Sequence, residues 1–522
     1  MSFLRAWYFR WAMLLSGMCI FWAGMAQGDS PYLSWVGLTL ILGAGALGTG
    51  MWACALALVI GVMRNIIWAI PVLRAVLQRS WPQSLLVQGG FALWESFPLV
   101  IGSLAGLYLI RKRSPLWSVL LVPAGLMVGL DTWTPRPYGV SFGAMFVDQL
   151  PGAVWLLGAE ILGGLALGWS LLTWAVILQE RRLNQVLLVV SVPLALLGAG
   201  EILRADYCAR MLVRPKVEQD VIALQGAVAP FGSGYALMYE RALYPMIVFS
   251  GLKPDLVILP ENMVQVNHTL DKRDETSTLQ RHFTAVGMAV AVPYSQVAFG
   301  VRDFTTSRIY WSQLNPEGKP DVSWTDMRRR SFGVDYTPSF VPGALRRMAW
   351  GETGIRTPNR VENMNLLARD AGVASGIKTI GKAIPLMSGE MRDPLLFLRI
   401  RSDDAVTVAL NPSISGWMGA GESRTASVQA KARCLELGLV GYRVGQLSGT
   451  EFILPWRDTV DEVSNLGKGC LRFKAHLPTY RANTGFTAVF WVVSFFLLPL
   501  FSVAALIAIW MGNKGWIKHR IS

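Results

Sequence analysis

The sequence predicts an α-helical membrane bundle, then an α/β sandwich domain, then one returning membrane anchor. Three observations carry that expectation. The 522 residues are 52% hydrophobic and only 16% charged, with a mean hydropathy of +0.39, which is a membrane-protein composition. The apolar runs fill residues 11–203, vanish, and return once at 486–511. Between them lies a stretch of ordinary soluble composition in which short apolar strands alternate with helical patterns. The expected units are therefore 1–203, a bundle of about seven spans, 204–484, the sandwich, and 485–522, an anchor with a tail.

At about 20 residues per span, the bundle is read as 11–27, 34–48, 51–73, 84–110, 116–131, 153–178 and 186–203, with 486–511 as the anchor. Two readings of the second and third runs stand. The small residues from Gly43 to Gly50 either bend the chain between two helices or form a close-packing face within one long helix. The stretch from Trp133 to Pro151 is read as lying along the lipid surface, with Trp133, Tyr138 and Phe142 at the interface.

Charge placement orients these spans. Arg5 and Arg10, the group Arg111, Lys112 and Arg113, the group Glu180, Arg181 and Arg182, and finally Lys514, Lys518 and Arg520 all fall on one side. Positive charge marks the cytoplasmic side, so the sandwich is expected on the other. Arg74 and Arg79 fall on the wrong side; reading the second and third spans as one helix moves them across, but then requires a further reversal before Arg111, such as a re-entrant hairpin within 84–110. The net charge of +14 would suit a polyanion-binding surface. Roughly half of the excess, however, lies in the bundle and at its ends, where it serves topology and phospholipid head-group contact. Nucleic acid is not an expected partner. The first apolar segment lacks a cleavage site and is read as a retained span.

Five cysteines are too few for a disulfide scaffold. One disulfide among Cys208, Cys434 and Cys470 is compatible with an oxidising compartment. The histidines His268, His282, His476 and His519 are scattered, and there is no CxxC, HExxH, P-loop or dinucleotide fingerprint. No metal and no cofactor are expected.

Within the middle region, Asp220–Gly226 reads as a buried strand turning at glycine, Gly234–Ser250 as a helix and Leu256–Leu259 as the next strand. Strand, helix, strand implies a parallel pair. Strands are also expected at Ala285–Val292, Gln296–Val301 and Ala405–Leu410, with a turn at Asn315–Gly318. Two segments share one design. Asp255–Asn262 runs through four apolar residues into Pro260 and Glu261, and Ala383–Arg392 runs through Ile384 and Pro385 into Ser388 and Glu390. Each reads as a strand that stops abruptly and presents a polar residue at its carboxyl end, where α/β sheets bind ligands. The two ends, taken as neighbouring strands, are expected to meet at one site.

Six motifs occur in a telling order: Val221–Gly226, Leu259–Glu261, Pro385–Glu390, Ser415–Gly419, Ala432–Gly438 with Arg443, and Leu477–Tyr480. In that order they resemble the apolipoprotein N-acyltransferases, membrane-embedded members of the nitrilase, or carbon-nitrogen hydrolase, superfamily. The Leu-Pro-Glu form of the second motif looks still more like the plasmid conjugal-transfer members of that group. The resemblance covers the whole chain and implies a nitrilase-like αββα sandwich in the periplasm, carried by a multi-pass protein of a bacterial inner membrane. It also implies membrane phospholipid as a partner, with a lipoprotein or a conjugative-apparatus protein as another.

The family's chemistry uses a glutamate base, a lysine that stabilises developing charge and a cysteine nucleophile. Glu261 matches the glutamate. The cysteine position falls on Ser388, and the lysine position falls on Asp326, with Arg328 the nearest cation and Lys319 farther off. Glu390 and Trp417 are further site candidates. A structural reading stands beside each. Glu261 caps a helix or pairs with an arginine, Ser388 is a hydrogen-bonded turn serine, Glu390 is solvated, and Trp417 is a core or rim aromatic. Cys434, among Leu435, Leu437 and Leu439, reads as a packing cysteine. Glu95, Glu160 and Glu201 lie in or beside apolar spans, where an ionisable group is expensive and so suspect. Two functions follow: acyl transfer from phospholipid to an amine through a covalent acyl-enzyme, or a catalytically degenerate scaffold for conjugal transfer. An amidase acting on small amides is a third.

Overall fold

A computed structural model describes residues 7–27, 31–67, 70, 74, 80–134, 141–179, 183–225, 254–261, 296–302, 307–314, 320–326, 363–369, 377–386, 388–393, 405–413, 420–445, 449–457, 463–467, 470–481, 484, 486 and 496–513. They divide into two compact units, Met1–Asp206 with Thr484–Ser522, and Tyr207–Asn483.

The first unit is helical. Its described helices are α1 (Trp7–Gln27), α2 (Pro31–Ala46), α3 (Met51–Ile66), α4 (Trp81–Arg111), α5 (Leu116–Trp133), α6 (Pro151–Leu157), α7 (Ala159–Gln179), α8 (Leu183–Val213, which runs on into the second unit) and, after the second unit, α10 (Leu498–Asn513). By length and composition α4, α5 and α7 can each cross a membrane, and shorter apolar helices cover Tyr32–Ala46, Met51–Arg64 and Leu498–Ala508.

Local chemistry explains the breaks. Gly48 and Gly50 take φ values of 103° and 87°, which side-chain-bearing residues avoid, so the glycine run ends α2 and lets α3 begin anew. The one-helix reading of this stretch is thereby excluded. Arg74 therefore stays at the far end from Arg111, where its guanidinium stacks 4.1 Å from the Trp81 ring centroid. The run read as one span at 153–178 is instead two helices, because Gly158 (φ 84°) turns the chain between α6 and α7. Phe142 does not lie at a lipid surface. It is buried, with its ring 6.3 Å from that of Phe21 and edge-on to Phe146 at 5.8 Å. The short 3-10 turn Gly143–Phe146 thus folds back into the bundle. Trp133 is about half exposed and packs edge-on against Phe496, while Tyr138 lies outside the described residues.

One end of the bundle is basic. Arg10 Nη1 donates to the Leu47 carbonyl at 3.2 Å and Arg111 Nη2 to the Gly45 carbonyl at 3.3 Å, so both arginines cap the carbonyl end of α2. Lys112 and Arg113 follow in the α4–α5 turn, where Arg113 has φ 52°. That left-handed conformation costs a side-chain-bearing residue about 1–2 kcal/mol.

Among its described residues the second unit contains two mixed sheets. The described strands are β1 (Lys216–Leu224), β2 (Leu256–Ile258), β3 (Gln296–Arg302), β4 (Ser307–Leu314), β5 (Pro320–Asp326), β6 (Met364–Arg369), β7 (Ile377–Pro385), β8 (Val406–Ser413), β9 (Val440–Gly445), β10 (Glu451–Ile453), β11 (Val463–Gly467) and β12 (Cys470–Pro478), with helix α9 (Ala420–Leu437) between β8 and β9. The seven-stranded sheet has the order β11-β12-β1-β2-β3-β4-β5, and the five-stranded sheet β10-β9-β8-β7-β6. The expected parallel pair is β1 with β2, in register Val221 to Leu256, and β2 pairs β3 parallel as well. In the other sheet β7, β8 and β9 are parallel.

The sheets are joined by a polar bridge. Gln219 on β1 donates Nε2–H to the Leu367 carbonyl of β6 at 3.0 Å and accepts from the Tyr442 hydroxyl of β9 at 3.1 Å. Helix α9 covers the five-stranded sheet, its Ala430, Cys434 and Leu437 packing with Ile384, Leu386, Val406 and Ala409 in one core. The helix expected at Gly234–Ser250, the strand at Ala285–Val292 and the turn at Asn315–Gly318 lie outside the described residues. None of the five cysteines is in a disulfide, so the bridge entertained among Cys208, Cys434 and Cys470 is not formed.

Candidate functional site

Strand β2 is an interior strand, and its neighbours leave it no surface. Leu256, Val257, Ile258 and Leu259 are all buried. Its entry is pinned by reciprocal bonds, from the Asp255 N–H to the Asp220 carbonyl at 2.8 Å and from the Asp220 N–H to Asp255 Oδ2 at 2.9 Å. Asp220 is itself gripped by Arg472 through Nε (2.8 Å) and Nη2 (2.6 Å), the bidentate geometry that gives a carboxylate a fixed orientation. Beyond Ile258 the ladder ends at Pro260, and Glu261 follows with 0% of its surface exposed. Removing a carboxylate from water costs several kcal/mol, on the order of the stability of a whole domain. A chain that places one there at a strand end is holding it for chemistry or for an essential pair.

The end of β7 is built differently. The parallel ladder runs one residue past Pro385, because the Leu386 N–H donates to the Leu410 carbonyl at 2.8 Å. The buried side chain of Asn411 on β8 then donates Nδ2–H to the Leu386 carbonyl at 2.7 Å. Two residues on, the chain tightens into a 3-10 turn, Ser388–Arg392. Met391 anchors that turn in the core beneath α9, and Glu390 and Arg392 are buried with it. Ser388 and Glu390 therefore share one turn at the carboxyl end of β7. Glu261 reaches its place from the other sheet, so β2 and β7 are not neighbouring strands as the shared design had suggested.

Asp326 closes β5, the outermost described strand of the seven-stranded sheet on that side, in register with Arg308. Arg328, Lys319 and Trp417 lie outside the described residues. Cys434 is wholly buried, and burial followed by the charges of Glu451 and Glu436 holds its thiol far above the usual range. A thiol so disfavoured as thiolate is a packing group and not a nucleophile. The motif around it has a structural role too: Arg433 and Glu436, both buried, pair at 2.5 Å, and buried Arg443 donates to the Gly449 carbonyl at 3.3 Å.

In the bundle, Glu201 on α8 accepts the Gly152 N–H at 2.8 Å and so caps the first turn of α6. Glu95 and Glu160 are buried on α4 and α7. A Cβ on Gly102 or Gly106 of α4 would meet Leu167 or Leu171 of α7, so these two helices pack closely along that stretch. Asp131 on α5 is buried as well. Among the described residues no group of three His, Cys, Asp or Glu side chains is placed to hold a metal ion. Sequence reasoning missed Asn411 and Asp131. Asn411 carried a signal, since it is the polar residue that follows the apolar run ending at Leu410, much as Glu261 and Ser388 follow theirs.

No protein-family model matches the sequence, and no curated protein matches it either. Among solved structures, the chain is similar to a mutant of an amidase of the nitrilase superfamily from Nesterenkonia AN1, at 11% identity and a TM-score of 0.33, covering 51% of this chain and 93% of that one. An amidase from Nesterenkonia sp. is similar at 12% identity and a TM-score of 0.31, covering 51% and 92%. A glutamine-dependent NAD+ synthetase from Acinetobacter baumannii is similar at 12% identity and a TM-score of 0.29, covering 50% and 44%.

Proposed function

We propose that the chain is a membrane-embedded carbon-nitrogen-hydrolase-like protein that moves an acyl group from phospholipid to an amine. The observation that carries this reading is Glu261, a wholly buried carboxylate at the carboxyl end of an interior parallel strand, at the position the resemblance assigns to the general base. The motif order, the two mixed sheets, and the helices long enough to cross a membrane support it.

In this mechanism Ser388 Oγ attacks the ester carbonyl while Glu261 takes the hydroxyl proton. Collapse of the tetrahedral intermediate breaks the bond to the lysophospholipid oxygen, which leaves with that proton. An amine then attacks the acyl-serine, gives its proton to Glu261, and releases Ser388, which regains the proton. Arg328 supplies positive charge to the oxyanion where the family uses lysine. Glu390 orients the turn and Trp417 lines the rim. The membrane is a bacterial inner membrane and the sandwich lies in the periplasm; the basic end formed by Arg10 and Arg111 supports that orientation, since it would face the cytoplasm.

The test is transfer of labelled acyl chains from phospholipid to an amine acceptor by the full-length protein in vesicles. Glu261→Gln and Ser388→Ala should each lower the rate by about 10²-fold or more. Unchanged rates in both variants would sink the assigned site.

Two substitutions favour a second reading, a non-catalytic scaffold for conjugal transfer. Serine stands at the family's cysteine position and Asp326 at its lysine position. That reading expects no acyl-serine adduct by mass spectrometry, and a transfer defect on truncation that Ser388→Ala does not reproduce.

A further inference from the structure

The turn between α4 and α5 has a feature that helix termination does not require. The Arg113 N–H bonds to the Ile110 carbonyl and the Ser114 N–H to the Leu109 carbonyl, each at 3.0 Å. This is the pattern in which a left-handed residue, usually glycine, closes a helix. Here that residue is Arg113, the one non-glycine with positive φ among the described residues. Attraction between cations and a helix carbonyl end accounts for Arg111 in the last turn. It does not account for keeping an arginine at the position beyond, where glycine would fit without strain.

Arg111, Lys112 and Arg113 are all exposed in this turn. Around them the bundle presents aromatics outward. Trp117 in the first turn of α5 is 51% exposed and Trp52 in the first turn of α3 is 83% exposed. Both lie at this end, because Gly45, whose carbonyl Arg111 binds, sits against Cys54 of α3 and Leu107 of α4. The Lys112 ammonium lies 6.0 Å from the Tyr108 ring centroid. Cations interleaved with exposed tryptophan, at the end of a helix of membrane-crossing length, match the headgroup level of a bilayer.

We propose that the α4–α5 turn is a binding site for the phosphate of an anionic phospholipid headgroup, with Arg113 as its principal cation and Trp117 and Trp52 seated beside the glycerol level. The guanidinium offers a planar fork that matches two phosphate oxygens. This site does not depend on the acyl-transfer reading.

The test uses the full-length protein in detergent, with native mass spectrometry counting bound phosphatidylglycerol against phosphatidylcholine at equal concentration. Wild type should retain phosphatidylglycerol preferentially. Arg113→Gly should lower that preference by about fivefold while its Tm in lipid-free detergent stays equal or rises, since the strain is relieved. Lys112→Gln should lower the preference without raising Tm, and Arg113→Lys, which keeps the charge and loses the fork, should lower it less than Arg113→Gly does. Equal phosphatidylglycerol retention by Arg113→Gly overturns the proposal. So does displacement of the lipid by inorganic phosphate at equal concentration, or by an acidic protein co-purifying at the turn. A fall in lipid-free Tm of Arg113→Gly together with lost binding also overturns it, because the arginine would then serve the fold. Should Arg113→Gly fail to accumulate, unchanged retention by Lys112→Gln decides against the site, and a fall decides for it.

Discussion

The ends of β2 and β7 are written alike and held differently. Both run through apolar residues into proline and then a polar group, yet β2 is paired over only three residues and has parallel partners on both sides. Its terminus is closed in on every side, since Leu256 to Leu259 and Glu261 have essentially no exposed surface. Strand β7 is nine residues long, paired antiparallel between Ile377 and Ala383 on one side and parallel between Lys382 and Pro385 on the other, and its terminus is held by directed bonds, with Asn411 reaching over to the Leu386 carbonyl. One sequence design thus reaches two kinds of rigidity. Packing fixes a strand end in depth, whereas a side-chain hydrogen bond fixes the orientation of a single carbonyl and of the turn it starts.

Substitutions can break this contrast. Ile258→Ala should be the most damaging, because an interior strand of three residues cannot close around the cavity. The expected loss is about 2–5 kcal/mol, read as thermal or denaturant unfolding of the full-length protein. Asn411→Ala should cost less, about 1–3 kcal/mol, the penalty of a buried carbonyl left without its donor. If the asparagine change proves as costly as the isoleucine change, the two ends are held in the same way and the contrast fails.

Tyr442→Phe tests the bridge through which β9 and β6 reach β1. At neutral pH it should cost about 1 kcal/mol, one hydrogen bond with Gln219 left short of a donor. Burial, and then the charge of Asp255, holds the Tyr442 phenol well above the usual tyrosine range. Its stabilising contribution is therefore intact below the unfolded-state value of about 10. As pH rises beyond that value the unfolded chain ionises first and stability falls, by at most about 1.4 kcal/mol per pH unit. The fall should be shallower in Tyr442→Phe. Cys434, also raised, adds a decline beginning near pH ~8.5 in both proteins.

Local chemistry made much of this architecture readable. The apolar runs around Val221, Val257 and Val408 are strands because short apolar stretches bounded by glycine or proline have little else to be. The helix break at Gly48 and Gly50 was one of two readings that the residues allowed, and backbone φ decided between them. Sheet membership was not readable, because hydrogen-bond partners across a sheet are chosen by the whole chain. Nothing between Glu261 and Ser388 marks them as belonging to different sheets. Phe142 misled for a related reason: an aromatic beside tryptophan and proline looks interfacial until a 3-10 turn carries it inward. At the candidate site the sequence named Glu261, Ser388 and Glu390. It did not name Asn411, whose role appears only once β8 lies beside β7.

Strands β1 and β12, the first and last described strands of the second unit, pair along their full length from Lys216 against Pro478 to Leu224 against Cys470. A ribosome delivers the first of these long before the second. Until then β1 must wait with one flank unoccupied, and its natural partner arrives only after the whole intervening chain has been made. Sheets closed by such distant pairings assemble slowly and are exposed to misassociation meanwhile. For this protein the hazard ends at a defined moment, when Cys470–Pro478 comes free. Truncation anywhere upstream of that segment would leave a permanently open edge.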